Sequence, residues 1–399
     1  MLKGKLVVGQ SGGPTQVVNS SLVGVIHEAL AHGEVTGVYG MLRGIKGVLE
    51  DTFVDLARES EETLSLLRRT PGAALGTVRY KLKAADYERI VAVLRAHGVR
   101  FFCYIGGNDS MDTAHRVHLA AQEMGYDLRA IGVPKTVDND LAYTDHCPGY
   151  GSAARFVALA LRDTGRDTAA MGPSSPVKIV EIMGRNAGWL TAAAALGRQE
   201  AGDAPHLVYV PERPIDDERV VAQVARVVAE REHCVIALSE GAVPDAGMAE
   251  VDAFGHQMKG GVAEYLAGLI QKELGLKVRM DKPNYLQRSF SLCTSAVDAE
   301  EAYRAGRAAV QLAVEGQSDV MVTLERSAGE VYRCEMGTVP LDRVANAEKL
   351  LPAAYLHPDG HDVTLAFLDY ARPLIGDPLP PLGRLRMISV PAQHRKENA

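Results

Sequence analysis

Short, near-continuous apolar runs recur along the chain, separated by stretches of helical length. Residues 5–10, 35–39, 100–105, 128–133, 177–183, 207–210, 234–238, 277–280 and 320–324 read as strands. Segments 84–96, 112–124 and 262–274 read as helices between them. β-branched runs that alternate with helices, without the in–out pattern of a half-exposed sheet, predict an α/β fold with mostly parallel sheets covered on both faces. In such folds ligands gather beyond the carboxyl ends of the strands.

Five loops are therefore candidate site loops, following the strands that end near Gln10, Ile105, Val133, Met183 and Leu238. All five carry Gly, charged or hydroxyl residues, and a further loop, 283–289, follows the strand ending at Met280. The tail from Leu379, with Pro380, Pro381 and Pro391, is expected to be irregular and bound to the surface. No internal repeat or low-complexity tract is evident.

Composition narrows the class. At 399 residues the chain is long enough for two domains with substantial cores, and 47% hydrophobic with 23% charged residues is ordinary for an α/β enzyme. A net charge of −7 argues against a general nucleic-acid binder. No apolar stretch approaches the length of a membrane span, and residues 1–5 lead into a strand without the apolar core of a signal peptide, so a cytoplasmic enzyme is expected. Cys103, Cys147, Cys234, Cys293 and Cys334 show no CxxC spacing and are expected to be reduced, the three in strand-like runs buried.

The chemistry concentrates in the loops. Ser11-Gly12-Gly13-Pro14-Thr15-Gln16 joins the first strand to a helix starting near Val17, so glycine backbone and a helix N-terminus face the same way toward an anion. It is not a Walker A loop, since no Gly-Lys-Ser/Thr follows. Gly106-Gly107-Asn108-Asp109-Ser110 opens a helix beginning about Met111; its plain alternative is a tight turn with a helix cap. In Pro134-Lys135-Thr136-Val137-Asp138-Asn139-Asp140, two carboxylates one residue apart stand beside a lysine and a hydroxyl. That charge cluster is costly unless it serves a site. Phosphoryl transfer needs such parts: glycines that let N–H groups approach phosphate, carboxylates that hold Mg²⁺ or take a proton, and a cation against developing charge.

Six motifs in order carry a resemblance that runs from about Lys5 to about Ala308: Ser11-Gly-Gly, Gly106-Gly-Asn-Asp-Ser, Pro134-Lys-Thr-Val-Asp-Asn-Asp, Met183-Gly-Arg, Ser239-Glu-Gly and Tyr285-Leu-Gln-Arg. The chain resembles the phosphofructokinases, and more closely their pyrophosphate-dependent branch. The resemblance implies two Rossmann-like domains. Residues 1–150 with about 286–345 would form the phosphoryl-donor domain, about 151–285 the sugar-phosphate domain, and 346–399 an extension packing on the core.

The implied reaction moves a phosphoryl group from pyrophosphate to the 1-hydroxyl of fructose 6-phosphate, reversibly, in glycolysis or gluconeogenesis, with Mg²⁺ as cofactor. By resemblance Asp138 is the general base, Lys135 stabilises the transferred group, and Thr136 with Asp138 contacts the substrate. Gly12, Gly13, Gly107 and Arg79 would bind the donor. Met183, Gly184, Arg185 and Glu240 would bind the sugar, and Arg279, Tyr285 and Arg288 its 6-phosphate. Asp140 and Asn108 match positions near the metal, although Asn108 stands where most members carry an aspartate. Pro176 stands near a phosphate-binding arginine of many bacterial members, with Lys178 as its substitute.

ATP-dependent members usually have glycine where this chain has Asp109, and often glycine where it has Lys135. A carboxylate at 109 sets a negative charge against a nucleotide's α-phosphate, at a cost of roughly several kcal/mol in a dry site. Both residues are therefore of the pyrophosphate type. The alternatives within the fold are ATP as donor or sedoheptulose 7-phosphate as acceptor; a non-catalytic sugar-phosphate-binding subunit is disfavoured because the base, lysine and arginines are all present. In the family the equivalent of Arg279 crosses a subunit interface, which implies a homodimer or homotetramer.

Overall fold

The computed structural model describes residues 2–243, 248–251, 257–259, 261–329, 331–345 and 347–390. Its strands are β1 (Gly4–Gln10), β2 (Val35–Met41), β3 (Phe53–Asp55), β4 (Val99–Gly106), β5 (Arg129–Pro134), β6 (Val177–Ile182), β7 (Leu207–Tyr209), β8 (Cys234–Ser239), β9 (Met248–Val251), β10 (Gln257–Lys259), β11 (Val278–Asp281), β12 (Val320–Arg326) and β13 (Cys334–Pro340). One sheet has the order β13-β12-β5-β4-β1-β2-β3 and a second the order β11-β6-β8-β7, while β9 and β10 pair separately. The second sheet is parallel throughout. The first is parallel except at its two edges, where β3 and β13 run antiparallel to their neighbours.

The continuous apolar runs follow from double-sided burial. In β1, Leu6 and Val8 enter one apolar cluster and Val7 another; in β4, Phe101, Cys103 and Ile105 divide from Phe102 and Tyr104 in the same way. In β8, Val235 and Ala237 face one cluster while Cys234, Ile236 and Leu238 face the other. Side chains alternate across a strand, so a sheet covered by helices on both faces needs apolar residues at every position. Helices Val18–Ala31 and Ala296–Val314 cover one face of the first sheet, and Ala84–Ala96 and Asn108–Glu123 the other.

Around the second sheet, Tyr150–Met171 packs on one face, and Asp217–Arg231 with Val262–Leu274 on the other. The C-terminal residues Leu351, Phe367, Tyr370 and Leu374 join the cluster under Tyr150–Met171.

All five cysteines are free and buried. Among the described residues, no helix is long and apolar enough to cross a membrane. The helix expected at Met111 begins at Asn108, which puts Asp109 in its first turn. Residues 381–390 have no regular structure, and Pro391 lies outside the described residues.

Candidate active site

In the first sheet the strand order reverses at β1, with β2 on one side of it and β4 on the other, and the loops after β1, β4 and β5 enter the crevice that opens there. In the second sheet β6 and β8 are neighbours, and the turns after them, at Met183 and Glu240, face the same crevice. The cleft of about 360 Å³ is lined by Gly12, Gly13, Arg79, Gly107, Asn108, Asp109, Lys135, Thr136, Asp138, Asp140, Met183, Arg185, Glu240 and Arg288.

Lys135 leaves the end of β5 with its N–H donating to the Gly106 carbonyl at 3.0 Å, and its Nζ turns under the first loop to donate to the Gly13 carbonyl at 2.7 Å. It is only 3% exposed. Burial, and then the Arg288 guanidinium, hold its ammonium down to about 8, against the pull of Asp138 and Asp140. Arg288 itself lies so close to Gly13 that a Cβ there would collide with the guanidinium. A larger residue at that position would displace the Arg288 guanidinium from where it now enters the cleft.

The loop after β5 is locked from behind. Asn139 is fully buried in the left-handed region at φ 56°; its Oδ1 accepts from the Cys147 N–H at 3.0 Å and its Nδ2 donates to the Tyr370 hydroxyl at 2.9 Å. Asp138 and Asp140, on either side of it, both line the cleft. The Asp138 N–H donates to Thr136 Oγ1 at 3.1 Å, while Asp138 Oδ1 is shielded from solvent with no hydrogen-bond partner. Burial and then Glu240 push the Asp138 carboxyl up to about 6, with Lys135, Arg288 and Arg185 opposing. Burial, Asp138 and Glu348 push Asp140 up to about 7. A buried orphan carboxylate oxygen beside a second carboxylate whose pKa is raised suits a hard divalent cation or a transferable proton. Asn108 Oδ1, by contrast, already accepts from the Asp109 N–H at 3.0 Å.

On the second-sheet side Gly184 sits at φ +128°, where a Cβ would meet the Ala187 carbonyl. Its N–H reaches Glu240 Oε1 at 3.4 Å, and its carbonyl accepts from the Ser239 hydroxyl. Burial raises the pKa of Glu240.

Three predicted residues stand apart from the cleft lining. Gly184 supports it from behind, Arg279 is exposed on edge strand β11 with its Nε donating to Ser175 Oγ at 2.9 Å, and Tyr285 is 63% exposed. Arg288 reaches the cleft and also stacks over the Tyr285 ring at 4.2 Å. Lys178 is paired with Asp281 at 2.6 Å instead of facing the cleft.

Sequence reasoning passed over Gln287, which is 1% exposed: its Oε1 accepts from the Met183 N–H at 3.2 Å and its carbonyl from Gln16 Nε2 at 3.1 Å. It ties the first loop to the Met183 turn, and its place inside Tyr285-Leu-Gln-Arg was the available signal. Glu348 and Asn186, which also line the cleft, have no motif to mark them. Among the described residues, His146, Glu301 and Cys334 bring potential metal-ligand atoms within 4.8 Å of one another. None lines the cleft, and His146 is already held by Asp145 at 2.8 Å and Glu301 at 2.7 Å.

The family described as Phosphofructokinase matches residues 5–313. A pyrophosphate--fructose 6-phosphate 1-phosphotransferase of Xanthomonas campestris is 45% identical over 94% of this chain and 92% of its own length. One of Halomonas elongata is 42% identical over 97% and 96%. The crystal structure of a pyrophosphate-dependent phosphofructokinase from Marinobacter aquaeolei superposes with a TM-score of 0.86 at 38% identity, covering 98% of each chain. The chain belongs to the phosphofructokinase family.

Proposed function

We infer that this chain transfers a phosphoryl group from pyrophosphate to the 1-hydroxyl of fructose 6-phosphate, giving fructose 1,6-bisphosphate and phosphate, in a reversible reaction. The single observation that carries this is the placement of Lys135 under the Ser11–Gly13 loop, in the same cleft as Asp109 and Asp138. The names of the full-length relatives support it.

Asp138 takes the proton from the sugar 1-hydroxyl as that oxygen bonds to phosphorus and the bridging P–O bond of pyrophosphate breaks. A carboxyl poised at about 6 is ionised at neutral pH yet basic enough to accept that proton. Lys135 offsets charge on the transferred group, while Gly12, Gly13, Gly107 and Arg79 hold the donor. Asp109 opposes a nucleotide's further phosphate. Asp140, with Asn108 and Asp138 beside it, would hold a Mg²⁺ ion, which would supply neutralisation of pyrophosphate charge.

Thr136, Met183, Gly184, Arg185 and Glu240 hold or shape the acceptor side. Of the three 6-phosphate residues only Arg288 lines the cleft of the single chain; Tyr285 would join it, and Arg279 would reach the phosphate across a subunit interface of a homo-oligomer. The first sheet, residues 1–150 with about 286–345, serves as the donor domain; about 151–285 is the sugar domain, and 346–399 is the extension. We place the enzyme in the cytoplasm. Phosphorus NMR of protein, Mg²⁺, pyrophosphate and fructose 6-phosphate should show a new sugar 1-phosphate resonance and inorganic phosphate. Pyrophosphate consumption without that resonance would overturn the acceptor.

A further inference from the structure

Residues 347–351 follow the stretch matched by the family, and Glu348 among them lines the cleft. The hydrogen bonds of this strap reach toward both sides of the cleft. Toward the transfer side, the Lys349 N–H donates to the Asp140 carbonyl at 2.7 Å, and Lys349 Nζ donates to the carbonyls of Thr144 at 3.0 Å and Asp145 at 2.9 Å. Glu348 also forms a backbone bridge with Leu141.

Toward the sugar side, Asn186 Nδ2 donates to Glu348 Oε1 at 2.8 Å, Trp189 Nε1 donates to the Lys349 carbonyl at 2.9 Å, and the Leu351 N–H donates to Glu212 Oε1 at 2.8 Å. Glu212 in turn accepts from the Gly188 N–H, so the turn 186–189 is gripped at three points.

We propose that this strap positions the acceptor site, with Glu348 as the positioning residue that sets the Arg185–Asn186 turn against the Asp138–Asp140 loop. The proposal rests on the transferase reading of the cleft. The two loops sit on different sheets and 45 or more residues apart, so their spacing is not set by either sheet alone. The strap joins them through short, directional bonds at the place where the two substrates meet. Glu348 is exposed to the cleft and outside the apolar cores, so its removal leaves the packing of the fold in place.

The test combines amide hydrogen exchange of the ligand-free protein with steady-state kinetics on the full chain. Glu348→Ala should speed exchange of amides 184–189 and raise the KM for fructose 6-phosphate, each about tenfold, with the KM for pyrophosphate unchanged. Glu348→Gln keeps an oxygen that accepts from Asn186 Nδ2 and should recover both. Asn186→Ala should match Glu348→Ala, and the double variant should be no worse than either single one. Unchanged exchange in Glu348→Ala, equal losses on both substrates, or strictly additive single variants would overturn the proposal. Absence of turnover in the parent protein would sink the transferase reading instead, and the exchange comparison would still decide whether the strap holds the turn.

Discussion

Lys135 Nζ donates to the Gly13 carbonyl at 2.7 Å, which fixes a buried cation beneath the glycine turn that follows β1. A phosphate held by that turn meets the charge without any side-chain rearrangement, and preorganised charge of this kind is the main resource of phosphoryl-transfer sites. Lys135→Met should therefore lower kcat by about 10²–10³. A kcat within threefold of the parent would remove Lys135 from the transfer step.

The pH profile follows from the same groups. Lys135 is protonated below about 8, so activity should fall as pH rises through that value. Asp138 and Asp140, raised to about 6 and about 7, must lose their protons, so activity should fall as pH drops through that interval. The profile of kcat/KM should be a narrow bell. In Asp138→Asn, kcat should fall by about 10²–10⁴ with little change in sugar affinity, measured by calorimetry. Normal turnover by that variant would show that the base lies elsewhere.

Asp140 should cost the empty protein stability. Its folded pKa of about 7 lies above its ordinary 3.8, so its favourable contribution is present below the ordinary value and lost as pH rises through about 7. In metal-free buffer Asp140→Asn should be more stable than the parent at pH 8 by about 1–3 kcal/mol, and by less near pH 6. Urea melts at the two pH values check this; a variant less stable than the parent at pH 8 would contradict it.

Much of this arrangement was legible in the chain. Runs such as Leu6-Val7-Val8 and Cys234 to Leu238 announced strands buried on both faces, and the glycine and charged turns marked their carboxyl ends. The second sheet's edges, β7 and β11, were legible as apolar runs, but the first sheet's edge strands β3 and β13 were not. β3 has three residues, and β13 mixes buried and exposed positions because only one neighbour covers it. Glu348 carried no signal because only the folded path of the chain brings it to Asn186, 162 residues away. The grouping of Arg279 with Arg288 was legible only by resemblance, and a single chain keeps the two apart, with Arg279 on an exposed edge strand.

Gln287 offers a test of that hidden layer. Gln287→Ala leaves the Met183 N–H without its acceptor, which should cost about 1–3 kcal/mol of stability and raise the KM for the sugar phosphate more than that for pyrophosphate. Thermal melts and initial rates read both. Unchanged sugar KM with a lowered Tm would make the residue purely structural.

In the proposed mechanism donor choice falls to Asp109, which lies exposed in the first turn of the helix after β4 and lines the cleft. Asp109→Gly should gain ATP-dependent activity that the parent lacks, since it removes a negative charge facing the nucleotide's phosphates. Activity with ATP that stays absent in the variant, while pyrophosphate activity persists, would move the donor gate to another residue.

The most direct measurement is the initial rate of the purified protein with fructose 6-phosphate and Mg²⁺, comparing pyrophosphate with ATP at matched concentrations. Turnover with pyrophosphate and none with ATP is the expected result. Turnover with ATP and none with pyrophosphate would contradict the assignment of Asp109 and Lys135 to pyrophosphate.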